Sequence, residues 1–227
     1  MTRQWFTAQQ SKWRPVFMLT KLAITAFLIA TIMMIAPVNL SASAVEQAPY
    51  DVLESTDYVE IRRYPETIVA EVMVTADDRQ IATSTGFMAL AGYIFGQNQT
   101  GDKIAMTAPV TTVPVEPEAI TTQNVGDKAY IIQFVMPAKW SMESLPAPNN
   151  PKVTLKTLPV RYMISTKMVG VRTPERLGEM EAVIAEFINK RNLQTIGDFI
   201  SAGYDRPSTP AQKRRWELLQ QIENPQS

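Results

Sequence analysis

Two residue types that carry much of protein chemistry are missing from this chain. It contains no cysteine, so there is no thiolate nucleophile, no disulfide and no sulfur for covalent haem attachment. It also contains no histidine, which removes the usual proximal haem ligand, the commonest zinc ligand and the general base of a hydrolase triad. A Ser/His/Asp or Cys/His enzyme is excluded, and no catalytic residue is assigned.

Methionine is the soft, adaptable residue that the chain does use. A methionine suits a groove that must mould to a flat apolar ligand, although a single one more often fills a gap in a core. Those after residue 44 are Met73, Met88, Met106, Met136, Met142, Met163, Met168 and Met180. Met88 is distinctive, because it lies off the apolar stripe of the helix that must contain it and so points to a side or to the surface.

That helix belongs to Gly86–Val110, the stretch that organises the chain. Large apolar residues recur there at helical spacing, at Phe87, Leu90, Ala91, Ile94 and Phe95. Gly96 can end the helix in the left-handed conformation, and Thr75 or Asp77 can cap its start. Gly86 costs about 1 kcal/mol relative to alanine inside a helix, which indicates close approach of backbone or ligand.

Alternating apolar residues predict strands on both sides of this helix, over 58–64, 68–74, 104–110, 130–136, 152–156, 160–169 and 200–205. Thr173-Pro174 opens a second helix, with its stripe at Leu177, Met180, Ile184, Phe187 and Ile188. Residues 115–128 are predicted to form a loop, and a last short helix is expected from Ser208 to near Ile222. The fold class is α+β: a pseudo-two-fold repeat of strand-strand-helix-strand units, forming a distorted antiparallel sheet or open barrel with two covering helices.

The organising stretch resembles the signature of the SOUL haem-binding protein family. The resemblance rests on Gly86–Asn98, with its GF..L..YI.GxN pattern, and on Lys103–Val110 (KIAMTAPV). Tyr50–Tyr64, Phe134–Pro137, Gly203–Pro207 and Arg214–Glu217 extend it over roughly residues 50–220. It implies a distorted barrel of two similar halves, each with one helix.

The resemblance also implies a ligand: haem or a related tetrapyrrole, held non-covalently in an apolar groove along the first helix. Carried to this chain, the groove includes Met88, Ala91, Gly92 and Phe95, with Arg161, Met163 and Met168 from the second half. Arg161 would pair with haem propionates, or it lies on a solvated strand face. An iron ligand would have to be tyrosine, methionine or lysine, with Tyr93 as one candidate; binding without any axial ligand is equally open, so the metal ligand stays unknown.

The N-terminus predicts export. Residues 1–44 contain basic residues and no acidic ones, and Leu22–Val38 is an uncharged apolar run followed by Ala42-Ser43-Ala44, a small-x-small cleavage pattern. The run is either a cleaved signal peptide or an uncleaved anchor near the lower length limit for a bilayer. Both alternatives place the second domain, residues 45–227, in the periplasm or cell envelope. An uncleaved segment would attach the protein to the membrane through residues 22–38.

The distribution of charge along the chain limits the classes of partner that the protein can bind. The whole chain is formally neutral, so the part beyond the basic N-terminus is net acidic, which argues against nucleic acid. The predicted function is tetrapyrrole binding by a monomer without histidine ligation. The alternatives are an enzyme acting on the tetrapyrrole, for example by removing its metal, and a lipid-binding or interaction module that uses the same groove.

Overall fold

A computed structural model describes residues 45–115 and 128–226. The predicted targeting segment, 1–44, and the interior of the predicted loop lie outside these ranges. The strands are β1 (Glu46–Gln47), β2 (Asp51–Ser55), β3 (Glu60–Tyr64), β4 (Thr67–Ala76), β5 (Thr107–Ala108), β6 (Val110–Val115), β7 (Lys128–Val135), β8 (Val153–Leu158), β9 (Arg161–Val169), β10 (Thr195–Gly203) and β11 (Arg215–Ile222). The helices are α1 (Arg79–Ile94), α2 (Pro174–Arg191) and a 3-10 turn at Ala211–Lys213. No helix in the described ranges is long and apolar enough to cross a membrane.

The described strands form one nine-stranded sheet, apart from β1 and β5, which pair with each other in parallel. The order across the sheet is β2-β3-β9-β11-β10-β6-β7-β4-β8, and the pairings within it are antiparallel. The sheet is open, with β2 and β8 as its edges. The predicted α+β architecture is confirmed, in its open form and not as a closed barrel.

Two halves of the sheet meet where β10 pairs with β6. One half is built from β4, α1, β6 and β7, and the other repeats that order with β9, α2, β10 and β11. The halves exchange the strand that precedes each unit: β3 leads into β4 but pairs with β9, and β8 leads into β9 but pairs with β4. The repeat was predictable from the order of elements, whereas the exchange depends on pairings between distant segments.

The N-cap of helix α1 lies one residue after Asp77, the later of the two predicted caps. Asp78, not Thr75 or Asp77, is the N-cap, and its side chain accepts hydrogen bonds from the backbone N–H groups of Gln80 and Ile81. Gly96 follows the C-terminal residue Phe95 with φ of 110°, as predicted. A Cβ on Gly86 would lie 2.6 Å from Cγ1 of Ile132, so this glycine serves close packing of helix on sheet.

Helix α2 agrees with its sequence pattern. Thr173 is the N-cap, Pro174 occupies the first turn, and Asn192 ends the helix in the left-handed conformation with φ of 50°. Met180 and Ile184 are buried, and the other members of the predicted stripe pack against the same core. Capping and periodicity therefore agree here, which is why local sequence sufficed.

The predicted last helix is wrong, since Arg215–Ile222 is strand β11. Its side chains are buried on both faces of the sheet: Leu218 packs under α2, while Leu219 belongs to a separate core. A strand buried on both faces shows no apolar-polar alternation. Pairing with β9 and β10 on either side decides the conformation against the modest intrinsic preference of the segment.

Both helices cover the same face of the sheet, here called the helix face. Thr112, Ser201 and Leu218 are successive cross-strand partners, so they share a face. Thr112 bonds to Thr83 of α1, and Leu218 lies in the core under α2. The opposite face, here called the open face, carries the alternate residues of the same strands.

Candidate functional site

The outward side of α1 carries a line of exposed apolar side chains. Ile81 is 57% exposed, Met88 70% and Phe95 63%. Their spacing of seven residues places them nearly above one another along the helix. These three residues are here called the α1 stripe, and they leave a hydrophobic surface that the described part of the chain does not cover.

Gly92 lies between the two largest members of the stripe in sequence. It is half-buried, and a Cβ placed on it would meet Oε1 of Gln97 at 2.5 Å. The missing side chain gives a shallow step on the helix surface, which the exposed end of Gln97 partly fills. The Gln97 side chain therefore occupies the space beside the Gly92 backbone.

Ala91 and Tyr93 belong to the inner side of α1. Ala91 is 7% exposed and Tyr93 is 1% exposed. The Tyr93 hydroxyl donates a hydrogen bond of 2.9 Å to the carbonyl of Pro146, and burial raises the pKa of Tyr93 to about 12. Tyr93 is therefore a protonated packing residue that ties α1 to the loop before β8, held away from the α1 stripe.

Arg161 and Met163 lie on the open face, at a pocket. Arg161 pairs across strands with Tyr64, and Met163 with Arg62. The pocket has a cavity volume of about 30 Å³, room for one or two water molecules. Its walls are Ala48, Tyr64, Thr67, Val69, Pro109, Thr111, Val113, Gln133, Val135, Leu158, Arg161, Met163, Ile200 and Leu219. This space is far smaller than the pockets of about 300–1,000 Å³ that hold drug-sized ligands.

The guanidinium of Arg161 has few partners. Its Nε is buried without a hydrogen bond, and its closest aromatic contact is the Tyr64 ring, 5.9 Å away. Burial lowers the pKa of Arg161, and only the Tyr64 side chain acts in the opposite direction. Among the described residues no carboxylate forms a salt bridge with it.

Arg62 lies on the same face, but its guanidinium is hydrogen-bonded to carboxylates. It is 0% exposed, and Nη1 and Nη2 donate to the two carboxylate oxygens of Glu217 at 2.7 and 2.9 Å. Nε donates to Glu60 at 2.7 Å, and Tyr204 donates its hydroxyl to Glu217 at 2.6 Å. Burial alone would lower the pKa of Arg62, but the bonds and charge of Glu217 raise it.

The sequence does not reveal this network. It predicts a strand over 58–64, which contains Glu60 and Arg62, and it places Glu217 in the predicted last helix. Arg62 and Glu217 are 155 residues apart in sequence, so no local pattern links them. Burial raises the pKa of Tyr204, and the adjacent Glu217 charge adds to that shift, as expected for a neutral donor that stabilises a buried ion pair.

The structure divides the predicted site residues among separate places. Met88 and Phe95 lie on the outside of α1, with Gly92 beside them, and Arg161 and Met163 lie across the sheet. Met168 is 8% exposed and packs in the core under α2. The described residues also hold no group of His, Cys, Asp and Glu able to bind a metal ion.

A family model described as SOUL heme-binding protein matches residues 45–221. The chain belongs to this family. The resemblance of the organising stretch is thereby confirmed. Among curated relatives, Heme-binding protein 2 from Mus musculus is 26% identical over 163 residues, covering 71% of this chain and 77% of the mouse protein.

Solved structures share the fold of this SOUL family member at low identity. The EcmrR C-terminal domain has a TM-score of 0.53 and 10% identity, covering 74% of this chain and 99% of its own. An uncharacterized conserved protein from Listeria innocua has a TM-score of 0.53 and 11% identity, covering 73% and 92%. At these identities the likeness shows the fold alone.

Proposed function

We propose that this SOUL family member binds haem or a related tetrapyrrole, non-covalently and reversibly, on the α1 stripe. Family membership supports the ligand class, and the exposure of Ile81, Met88 and Phe95 along one line supports the place. The exposed stripe is the observation that carries the proposal. The other exposed residues of α1 are Gln80, Ser84 and Thr85, so the stripe is its exposed apolar surface, and such a surface marks a binding site.

The chemistry of the stripe suits a flat apolar ligand. Met88 is flexible and polarizable, so its side chain can adjust to a ring face, and Phe95 offers an aromatic face or edge. Fully burying either side chain contributes about 1.5–3 kcal/mol, and a ligand lying on an open surface recovers only part of that. Contact with apolar surface, and not metal ligation, therefore supplies the affinity.

The residues present fit haem in a restricted way. The chain has no histidine or cysteine, and Tyr93 is buried and hydrogen-bonded elsewhere. Met88 is the stripe residue with a donor atom that haem iron accepts. Binding by apolar contact predicts that metal-free protoporphyrin and hemin bind with affinities within about tenfold of each other.

A titration of the protein with hemin, followed by the Soret band, tests the proposal. We expect saturation at one ligand per chain and its loss in Met88→Glu. The control is Ala185→Glu, which adds the same charge to an exposed position of α2 and should leave binding unchanged. Absence of saturation with both hemin and protoporphyrin would refute tetrapyrrole binding. Catalytic conversion of a metalloporphyrin to free porphyrin would show that the protein is an enzyme that removes the metal, in place of a binding protein.

The proposal places this function in the cell envelope. Support comes from the basic, apolar and small-residue segments that precede residue 45. Fusion of alkaline phosphatase after Ser227 should give activity outside the cytoplasm, and the same fusion lacking residues 2–44 should be inactive. The mass of the exported protein then separates a cleaved signal from an anchor. Equal activity of the two fusions would contradict export by this segment.

A further inference from the structure

We propose that the pocket on the open face is a second binding site, which takes the carboxylate of a small amphipathic acid against Arg161. This site goes beyond tetrapyrrole binding on the α1 stripe, and the sheet separates the two. Residues under α1, such as Ala70 and Phe134, alternate along their strands with pocket residues Val69 and Gln133. A ligand on one face does not reach the other.

Two arginines on the open face, Arg62 and Arg161, differ in the number of their hydrogen-bond partners. The buried guanidinium of Arg62 is held by two carboxylates, those of Glu217 and Glu60. Arg161, with its Nε equally removed from water, has no hydrogen bond from that atom and no acidic partner among the described residues. Arg161 as a whole is half-buried, but a buried polar atom without a partner is costly, so an anion from outside would supply the missing interaction.

Two acids of the open face, Glu71 and Glu60, already have cationic or amide partners. Glu71 accepts a 2.8 Å hydrogen bond from Gln133 and lies 3.8 Å from the Lys156 ammonium. Glu60 accepts from Lys167 as well as from Arg62. A side-chain rearrangement that supplied Arg161 with one of these carboxylates would break an existing pair.

A single arginine in the pocket favours a carboxylate over other anions. One guanidinium fork matches a carboxylate in two parallel hydrogen bonds, whereas a phosphate dianion leaves a second charge unpaired at a single arginine. The cavity of about 30 Å³ accommodates a group the size of a carboxylate. Most of the remaining wall is apolar, including Val113, Met163 and Leu219. Because the carboxylate fills the enclosed space, a short hydrocarbon tail would lie along this wall toward the open side of the pocket.

Calorimetric titration of the full chain in a non-ionic detergent with butyrate tests this inference. We expect saturable binding at one butyrate per chain. Butylammonium, which has the same tail and the opposite charge, and inorganic phosphate at matched ionic strength should not bind saturably. Equal binding of butylammonium would refute the role of the charge, and equal binding of phosphate would refute the carboxylate class.

Substitution of the arginine locates the site. Arg161→Gln should weaken butyrate binding at least about tenfold, the loss expected for a charge-assisted pair. Arg172→Gln is the matched control, because Arg172 is a half-buried arginine that lies over the Trp216 ring, 4.6 Å from its centroid, and does not line the pocket. An Arg161→Gln variant that stays folded and binds butyrate normally would overturn the assignment.

The same variants keep the two proposals independent. Met88→Glu should abolish hemin binding and leave butyrate binding intact, and Arg161→Gln should do the reverse. Loss of hemin binding in Arg161→Gln, measured on protein with an unchanged melting profile, would show one shared site and overturn the separate pocket. Absence of butyrate binding to the unmodified chain, with hemin binding retained, would refute the pocket alone.

Discussion

The two helices occupy corresponding places in the two halves of the sheet, yet their outward sides differ in chemistry. Helix α2 presents charged residues, among them Glu175, Glu186 and Lys190. Helix α1 has a single charged residue, Arg79, and exposes Ile81, Met88 and Phe95 instead. Since both helices have the same structural task, packing does not explain the apolar surface of α1. The difference supports the proposal that α1 is the helix that meets the ligand.

The open face shows a second difference between the halves. In the half containing β11, Glu217 and Arg62 form a buried ion pair. In the half containing β4, Glu71 is bound by Gln133 and by the half-exposed Lys156. The first arrangement is the more sensitive to loss of a partner, because the Arg62 side chain is 0% exposed and that of Glu217 only 7%.

The largest expected effect comes from adding a charge to the exposed apolar surface of α1. Met88→Glu should weaken hemin binding at least about a hundredfold, because a carboxylate must lose water to enter an apolar contact. The Soret titration measures the change. Ala185→Glu on α2 should keep the affinity within about twofold, and a similar loss in both variants would show that the effect is not specific to α1.

Removing one acid from each half should have unequal consequences. Glu217→Ala leaves the buried guanidinium of Arg62 with one carboxylate, that of Glu60, and should lower the free energy of unfolding by about 3 kcal/mol. Glu71→Ala removes a partly exposed acceptor and should cost about 1 kcal/mol. Urea unfolding of both variants provides the values. Equal costs would mean that the Arg62 network does not depend on Glu217.

Glycine-to-alanine changes should have opposite signs in the two helices. In Gly86→Ala the new methyl group meets Ile132 at 2.6 Å, so the free energy of unfolding should fall by about 1–3 kcal/mol. In Gly178→Ala of α2 no atom lies within 4 Å of the new methyl group, and alanine should stabilise by about 0.5–1 kcal/mol. Thermal unfolding of the two variants measures the sign, and stabilisation by both would contradict the close packing of α1.

The smallest expected difference concerns the caps. Asp78 accepts hydrogen bonds of 2.6 and 3.3 Å from two backbone N–H groups, whereas Thr173 accepts one of 3.4 Å. Asp78→Ala should cost about 1 kcal/mol and Thr173→Ala about 0.5 kcal/mol. Chemical unfolding monitored by circular dichroism resolves the order, and a larger loss at Thr173 would reverse it.

Local signals in the sequence determined a large part of the fold. The Thr173-Pro174 start and the stripe through Met180 and Ile184 defined α2, because cap and periodicity act within one helix. Gly96 marked the end of α1 for the same reason. Alternation along residues 130–136 defined β7, since that strand lies beside α1 with one face in its core. The motif in Lys103–Val110 carried the family, which the match over residues 45–221 confirms.

Tertiary structure decided what depends on distant partners. It made Arg215–Ile222 a central strand, because β9 and β10 supply its backbone hydrogen bonds and both of its faces are covered. It buried Arg62 against Glu217 and, among the residues that the structure describes, left Arg161 without an acidic partner. It also placed Met88 and Arg161 on opposite faces of the sheet. Side-chain spacing within one segment fixes which residues share a face, but only pairing across the sheet fixes what that face meets.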